Sequence, residues 1–422
     1  MNTDWSKPSE SLLSSLAQFT DSMHSSSFPS ENSLPSARSS TSTKAPYLFL
    51  FLEILGREGG IQSYVQDIFR SYLALDNLPK ADVFLLRDSQ AEHPFASDSL
   101  QFHYFKTGSP RLGRMRFAKA LFTYLVRYKP QHVFCGHVNL APMVWLLCKP
   151  LGIPYTVLTY GKEVWQPVPS PYRRALQQAD CLWTISRYSR DQACTANQLD
   201  PQKVQFLPCA IDGDAFTPGA KSPELIGKYG LADHKVLMTV ARLWSGDIYK
   251  GVDVTIRALP QIMQAIPNVK YLVIGRGDDQ PRLAKLAAEL GVAERVVFAG
   301  FVPTADLVEH YRLADAYVMP SQEGFGIVYL EAMACGVPVL SGNADGSADP
   351  LQDGRLGWRV PHRDPEAVAT ACITILQEIG KREQGQPYDQ RCDGIWLREQ
   401  AIALFGKAAF AQQFQSLLRA SQ

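Results

Sequence analysis

Short apolar runs that alternate with stretches of helical periodicity constrain the fold of this chain more than any other feature. The alternation begins at residue 46 and continues to about residue 379. Strands of parallel sheets are buried on both faces and therefore read as short apolar runs, while the helices that cover them repeat every ~3.6 residues. The order predicts an α/β fold whose parallel sheets carry helices on both faces.

The alternation occurs twice, with an irregular stretch between the two runs. The predicted strands of the first run are 46–55, 82–87, 102–106, 132–136, 155–160, 181–185 and 204–207, and its predicted helices are 61–75, 114–129, 140–149, 171–178 and 187–197. The predicted strands of the second run are 235–243, 270–274, 295–299, 315–319 and 337–341, and its predicted helices are 252–266, 281–290, 305–313, 325–335 and 364–379. Because 422 residues exceed the ~250 to 300 that one core usually serves, we expect two doubly wound domains.

The predicted domain boundaries follow from this pattern. We expect an N-terminal domain over 45–208, a linker over 209–233 in which glycines and prolines interrupt any regular element, and a C-terminal domain over 234–394. The ligand crevice is expected between the domains, at strand C-termini. The segment 395–422 is expected to form one or two helices that pack back across the domains. Its candidate buried residues are Trp396, Leu397, Ile402, Leu404, Phe405, Phe410, Phe414, Leu417 and Leu418.

Composition narrows the class of protein and its compartment. With 46% hydrophobic and 20% charged residues and a formal net charge of +1, the chain is typical of soluble globular proteins and does not indicate a nucleic-acid partner. The eight cysteines form no Cys-x-x-Cys pair, and the longest apolar run, 46–55, is interrupted by Glu53. Residues 1–44 are rich in Ser, Pro and Thr and can bury too little surface to offset chain entropy, so we expect a disordered tail. The alternative is a transit peptide, against which the acidic residues of this segment argue. We therefore expect a cytoplasmic protein.

The segment Ser321–Glu331 carries the strongest functional pattern. A buried strand, Ala316–Met319, is followed by a loop and by a helix over Phe325–Cys335. Glycines near a helix N-terminus let backbone amides approach a phosphate, and a neighbouring carboxylate such as Glu323 or Glu331 can accept hydrogen bonds from sugar hydroxyls. The segment thus suits both ends of a nucleotide-sugar. The alternative is that Glu331 is a solvated helix residue and Glu323 a partner of the helix dipole.

The run from Glu323 to Val339, with two glutamates eight residues apart, closely resembles the Glu-x7-Glu signature of glycosyltransferase family 4. The resemblance covers roughly 46–420. It implies the GT-B fold, two Rossmann-like domains facing a central cleft, and transfer with retention of anomeric configuration. It places Glu323 beside the donor sugar and Glu331 on the nucleotide ribose. It also implies that the donor is bound by the neighbouring residues Gly324, Phe325, Gly326 and Ile327.

Two cations lie at the mouth of the first strand-to-helix turn of the C-terminal domain. Arg242 follows the predicted strand and Lys250 precedes the helix, so both can reach a diphosphate and neutralise a departing nucleotide. The alternative is a pair of solvated surface cations. The segment resembles the Gly-Arg-Leu…Lys-Gly-x-Asp element of the same family, with Ala241 in place of glycine, and this resemblance implies that Arg242 and Lys250 bind the donor diphosphate.

Three other turns carry weaker signals. The turn at Gly275 lacks the remaining residues of a dinucleotide-binding motif, and the resemblance places it near the nucleotide base. Asp212-Gly213-Asp214 matches an Asp-x-Asp metal motif but lies in the predicted linker, so we predict no metal site and no cofactor. The loop Asn343–Ser347 is either a donor contact or a simple turn.

The N-terminal half contributes further candidates. Gly59 and Gly60 open a helix after the first strand and allow close approach of a phosphate or the reacting sugar, with tight-turn packing as the alternative. Tyr160 stands where the family often has a histidine of the reaction centre. His137, after the preceding strand, is a candidate replacement, although a lone histidine is more often structural.

The predicted helix 114–129 combines an apolar face with cations. Phe117, Leu121 and Tyr124 share one face, with Arg116, Lys119 and Arg127 roughly opposite. This is either an ordinary half-buried helix or a basic surface for anionic lipid.

The sequence therefore predicts a retaining glycosyltransferase, a hexosyltransferase by expectation. Its partners would be a nucleotide-sugar donor and a glycan, lipid-linked or small-molecule acceptor. A further expectation is peripheral contact of the protein with the cytoplasmic face of a membrane. The alternatives are a GT-B sugar-nucleotide epimerase and a non-catalytic nucleotide-sugar-binding protein.

Overall fold

The computed structural model describes residues 47–56, 59–75, 79–90 and 92–421. The predicted Ser-rich tail over 1–44 lies outside the described residues. The chain divides into two compact units, the first comprising the residues up to Thr184, Arg190–Gln205 and the residues from Leu417 onward, and the second comprising Ile185–Ser189 and Phe206–Ser416.

The first unit is built on a seven-stranded sheet in the order β3-β2-β1-β4-β5-β6-β7. The strands are β1 Tyr47–Phe51, β2 Ala81–Leu85, β3 Leu100–Tyr104, β4 His132–Cys135, β5 Tyr155–Thr159, β6 Cys181–Thr184 and β7 Val204–Phe206. The α-helices of this part of the chain are α1 Gly60–Leu73, α2 Pro110–Tyr128, α3 Ala141–Cys148, α4 Ser170–Gln177 and α5 Arg187–Asn197. Strands β1 to β6 pair in parallel, and every residue of β1, β2, β4 and β5 is buried. The apolar runs therefore form the predicted parallel sheet.

The second unit contains a six-stranded parallel sheet in the order β10-β9-β8-β11-β12-β13. Its strands are β8 Lys235–Val240, β9 Val269–Ile274, β10 Val296–Gly300, β11 Ala316–Met319, β12 Val339–Gly342 and β13 Trp358–Val360. The α-helices that follow in the chain are α6 Pro223–Tyr229, α7 Val252–Ala265, α8 Gln280–Glu289, α9 Leu307–Tyr311, α10 Ile327–Ala334, α11 Pro365–Glu383, α12 Gly394–Phe405 and α13 Lys407–Ala420. Helices α7 and α11 pack against each other and bury Ile256, Leu259 and Ile375 within the core of this unit.

Both sheets reverse their strand order at one point. The reversal lies between β1 and β4 in the first sheet and between β8 and β11 in the second. In open parallel sheets, the loops that leave neighbouring strands on either side of such a reversal diverge and leave a crevice at the strand C-termini. Each sheet thus offers one crevice where a ligand can bind.

The predicted α/β class and most predicted elements are confirmed, with corrections to individual elements. Helix α6 lies within 209–233, where no regular element was expected; Ser222 caps it, Pro223 is its first residue and Gly230 ends it with φ +59°. Strand β13 was not predicted. Helix α9 is shorter than 305–313, and a 3-10 turn, Thr304–Asp306, precedes it.

A further correction concerns side chains of the C-terminal segment, which forms two helices, α12 and α13, in agreement with the predicted one or two. Leu397, Phe405, Phe410, Phe414, Leu417 and Leu418 are buried as predicted. Trp396 and Ile402 are only half-buried, and Leu404, on the outer side of α12, is exposed. Helix α13 begins in the second unit, and its residues from Leu417 onward group with the first unit. Within the described ranges, no helix is both long enough and apolar enough to cross a membrane.

Candidate active site

The loop from Ser321 to Gly326 leaves β11 at the strand reversal of the second sheet. Gly326 has φ +90° and directly precedes α10, which therefore starts two residues later than predicted. The side chain of Phe325 is buried, with its ring 5.7 Å from that of Phe405. Since the first amides of a helix have no intrahelical partner, the N-terminus of α10 presents N–H groups and partial positive charge to the strand-end crevice.

Lys250 and Glu323 meet beside this helix N-terminus. Lys250 ends the 3-10 segment Ser245–Lys250 that follows β8, and its Nζ donates a hydrogen bond to Oε1 of Glu323. Both side chains are half-buried. The ion pair joins the two strand ends that flank the sheet reversal.

The backbone of Glu323 is held on both sides by the loop after β12. Its amide donates to Oδ2 of Asp345 at 2.7 Å, and its carbonyl accepts from the amide of Gly346 at 2.8 Å. The other carboxylate oxygen of Asp345 accepts from the amide and the hydroxyl of Ser347. Burial raises the pKa of Asp345 to about 6, although the hydrogen bonds from Ser347 and Glu323 lower it in part. The loop 343–347, left open between donor contact and simple turn, therefore clamps Glu323.

Three glycines allow this close approach of backbones. A Cβ atom added to Gly251 would lie 2.5 Å from the carbonyl oxygen of Pro320, and one added to Gly342 would lie 2.3 Å from that of Ser321. A Cβ atom on Gly346 would lie 1.9 Å from the carbonyl oxygen of Gly324. Neighbouring turns thus enclose the 320–324 loop so tightly that only glycine fits at these positions.

Glu331 lies in the second turn of α10 and is half-buried. The hydroxyl of Tyr311 donates to its Oε2 at 2.6 Å, and burial raises the pKa of the Glu331 carboxyl. The interpretation of Glu331 as a solvated helix residue is therefore wrong. A carboxylate has two oxygens, so Tyr311 orients the group while leaving capacity for a diol.

Arg242 follows β8 and is exposed. Its guanidinium donates to Oδ2 of Asp247 at 2.6 Å and lies 5.6 Å from the ring centroid of Trp244.

Gly275, which follows β9, packs against the turn after β8. Its φ is +137°, and a Cβ atom there would lie 1.8 Å from the carbonyl oxygen of Ala241. Its amide donates to the carbonyl of Gly300 at 2.8 Å. Packing thus accounts for Gly275, and its contact with a donor stays a prediction.

The first unit places Gly59 and Gly60 after β1, at its own strand reversal. Asp88 anchors the loop by accepting from the amides of Ile54 at 2.7 Å and Gly56 at 2.8 Å. Gly59 is extended, with φ 171°, and a Cβ atom on Gly60, the first residue of α1, would have no other heavy atom within 4 Å. Tight-turn packing therefore does not explain glycine at 60, and contact of Gly59 and Gly60 with a donor or acceptor stays a prediction.

His137 follows β4, on the other side of the same reversal. Its Nδ1 accepts from the amide of Asn139 at 3.1 Å, which caps a short 3-10 turn, and burial lowers its pKa to about 4. The neighbouring Gly136 carbonyl accepts from the hydroxyl of Tyr160 at 2.8 Å. These contacts favour a structural role for His137, and a role in the reaction stays a prediction.

Asp212 is engaged in local structure. Its Oδ1 accepts from the amides of Asp214 and Ala215, and its Oδ2 accepts from Nζ of Lys407. In the described part of the chain, no group of three or more His, Cys, Asp or Glu side chains is arranged to hold a metal ion.

Sequence reasoning did not single out Tyr311 or Ser186. The hydroxyl of Ser186 donates to the carbonyl of Gly324 at 2.5 Å, and Ser189 adds a weaker contact of 3.3 Å. These residues are 138 and 135 positions away from Gly324 in the chain. No local pattern marks such partners, because they lie far from Gly324 in the chain.

The Rossmann strand order and the candidate site at the strand reversal define the class of GT-B-fold proteins. The solved structure of sucrose-phosphate synthase from Thermosynechococcus elongatus is similar in fold to this chain. The TM-score is 0.68, and the sequences are 23% identical over 89% of this chain and 99% of that one. Family models described as "Glycosyl transferase 4-like domain" and "Glycosyl transferases group 1" match residues 59–210 and 234–378. The chain belongs to the group 1 glycosyltransferases, which confirms the predicted family.

Two curated relatives are similar to this chain. One is the GDP-mannose-dependent alpha-(1-6)-phosphatidylinositol monomannoside mannosyltransferase of Mycolicibacterium smegmatis, 36% identical over 52% of this chain and 60% of that protein. The other, from Corynebacterium glutamicum, is named for the monoacylated form of the same acceptor and is 28% identical over 77% of this chain and 87% of that protein. The match to the first spans less than two thirds of that relative's length.

Proposed function

We propose that the protein transfers a hexose from a nucleoside diphosphate donor to an acceptor hydroxyl, with retention of anomeric configuration. The observation that carries this proposal is the Lys250–Glu323 ion pair at the N-terminus of α10, at the strand reversal of the second sheet. A cation, helix amides and a carboxylate at one strand-end crevice suit a diphosphate linked to a sugar.

Each residue has a chemical task in this proposal. The diphosphate binds to Lys250, to Arg242 and to the first amides of α10, while Glu331 accepts hydrogen bonds from the ribose hydroxyls. The bond between the anomeric carbon and the diphosphate oxygen breaks and leaves its electron pair on that oxygen, where Lys250 and Arg242 stabilise the charge. The acceptor oxygen bonds to the anomeric carbon and releases its proton to the departing diphosphate or to water. Glu323 orients the sugar hydroxyls.

The relatives suggest the substrates to test first. Because two of them are named for GDP-mannose and phosphatidylinositol mannosides, we propose GDP-mannose as the first donor and an inositol-containing glycolipid as the first acceptor class. We place the reaction at the cytoplasmic face of a membrane, since such acceptors reside in bilayers. The transfer is proposed to need no metal or other cofactor.

Donor binding and turnover are tested separately. A panel of nucleotide-sugars is screened by thermal shift, since a ligand at 100 times its Kd stabilises by about 2.7 kcal/mol. The donor that binds is then incubated with and without acceptor. We expect nucleoside diphosphate to form only with acceptor and not in Lys250→Ala. Epimerised donor without acceptor indicates the epimerase instead, and binding without turnover indicates a silent binder. If no nucleotide-sugar shifts the melting temperature, the proposal is wrong.

A further inference from the structure

Helix α2 is apolar on its inner side and also carries an apolar stripe on its outer side. Its inner residues Phe117, Leu121 and Leu125 are fully buried in the first unit. Four further apolar side chains of the same helix remain exposed: Leu112 at 50%, Met115 at 52%, Phe122 at 36% and Val126 at 46%. At about 100° per residue these four lie within roughly 80° of one another, so they form one stripe along the helix. We call it the outer stripe.

Cations flank the outer stripe on both sides. At about 100° per residue, Arg111 and Lys129 lie along one edge, Arg116 and Arg127 lie along the other, and Lys119 lies within the stripe. All five are exposed. Among the described residues, none of the five forms an ion pair with a carboxylate, and no Asp or Glu occurs anywhere between Asp98 and Glu163. The positive charge of α2 contrasts with the charge of the whole chain, in which 42 Lys and Arg nearly balance 41 Asp and Glu.

This combination selects one kind of partner. Nucleic acid would use the cations but would leave four apolar side chains without a hydrophobic partner. A bilayer containing anionic lipids uses both, because apolar side chains enter the acyl boundary while long cationic side chains reach the headgroups. Each cation that lies near an anionic surface raises the affinity of the protein for that surface by a few-fold. The absence of carboxylates from 99–162 removes the repulsion that an anionic surface would otherwise meet.

We propose that the outer stripe of α2 and its flanking cations dock the protein peripherally on an anionic lipid bilayer, with α2 lying in the plane of the interface. The helix has 19 residues, but it cannot span the bilayer, because its inner face is part of the core of the first unit. The proposal rests on α2 alone and holds whether or not the protein transfers a sugar.

The test is co-sedimentation of the full chain with vesicles of phosphatidylcholine alone or mixed with phosphatidylglycerol. We expect binding to the mixed vesicles, little binding to phosphatidylcholine, and weaker binding at high salt. The stripe variant is Leu112→Gln/Met115→Gln/Phe122→Gln/Val126→Gln and the charge variant is Arg116→Gln/Lys119→Gln/Arg127→Gln. Each is expected to lower the partition coefficient by roughly tenfold or more.

The control is Arg257→Gln/Lys285→Gln, which removes two exposed cations from α7 and α8 of the second unit. It should bind vesicles like the unaltered protein. Because all replaced side chains are exposed, each variant is expected to fold, and circular dichroism and melting temperature check this. The proposal is overturned if the unaltered protein stays in the supernatant with anionic vesicles, or if the folded stripe and charge variants bind as well as the control does.

Discussion

Asp345 holds the backbone amide of Glu323 at 2.7 Å, and this contact ties the loop after β12 to the loop after β11. The neighbouring amide of Gly346 donates to the carbonyl of the same glutamate. Two adjacent residues therefore fix both backbone polar groups of Glu323. Because the side chain of Glu323 pairs with Lys250, this clamp also positions the carboxylate that forms the ion pair.

Asp345→Ala is expected to loosen Glu323 and weaken donor binding. Removing a buried acceptor leaves the Glu323 and Ser347 amides unsatisfied and lowers the free energy of unfolding by about 1 to 3 kcal/mol. The donor Kd should rise by roughly tenfold, since small misplacements of binding groups are costly. The control is Asp364→Ala, which removes the cap of α11 and should reduce stability by about 1 kcal/mol. Titration calorimetry decides the point: equal donor Kd values in both variants would contradict the clamp.

The stability of the protein should also depend on pH through Asp345. Its pKa is raised from 3.8 to about 6 in the folded state, so between these values the folded protein holds a proton that the unfolded chain has lost. The contribution of protonated Asp345 to the free energy of unfolding is complete below pH 3.8 and is lost as pH rises through about 6. It amounts to roughly 3 kcal/mol, at about 1.4 kcal/mol per pKa unit.

Asp345→Asn removes this titration and allows it to be measured by urea unfolding at several pH values. The free energy of unfolding of the unaltered protein, minus that of the variant, should fall between about pH 4 and pH 6 and then level off. A difference that rises with pH would show that the carboxylate is stabilised, not destabilised, by the fold.

Lys250→Ala is expected to lower kcat by about 100-fold to 1000-fold, because it removes a cation from the departing diphosphate. Lys250→Arg should retain part of the activity, since the charge stays. Lys285→Ala, on the exposed side of α8, serves as the control and should leave kcat unchanged. A kcat of Lys250→Ala within twofold of the unaltered enzyme would exclude a role for this residue in leaving-group departure.

The ribose role of Glu331 can be tested with nucleotides that lack a ribose hydroxyl. The unaltered protein should bind the deoxy form roughly tenfold more weakly, because a hydrogen bond to a carboxylate is lost. Glu331→Ala should bind both forms equally weakly, and Tyr311→Phe should show a smaller loss because it affects only the orientation of Glu331. If Glu331→Ala still discriminates between the two nucleotides, another group reads the ribose.

The variant Gly60→Ala distinguishes a role of Gly60 in ligand binding from a role in the stability of the fold. A Cβ atom there meets no other atom within 4 Å, so stability should stay the same or rise by up to about 1 kcal/mol. Donor or acceptor binding should nevertheless weaken, since the methyl group fills the space proposed for the ligand. Gly227→Ala, inside α6 and equally open, is the control and should leave binding unchanged. Melting temperature and the ligand Kd are measured for both, and unaltered binding in Gly60→Ala would remove this residue from the site.

The sequence alone determined the α/β class, the order of the strands and helices along the chain, and the motif around Glu323 and Glu331. These follow from patterns of short range: apolar runs, the helical period, and glycine or proline at the ends of elements. Helix α6 was missed although Ser222, Pro223 and Gly230 mark its ends, because prolines and glycines nearby suggested an irregular stretch.

Only the tertiary structure decided which groups act on those motif residues. Asp345 is 22 positions from Glu323, Tyr311 is 20 positions from Glu331, and Lys250 is 73 positions from Glu323. Such partners meet because β8 and β11 pair side by side at the strand reversal while β12 lies on the far side of β11. The order of strands in a sheet depends on the packing of the whole unit, which no local pattern along the chain records.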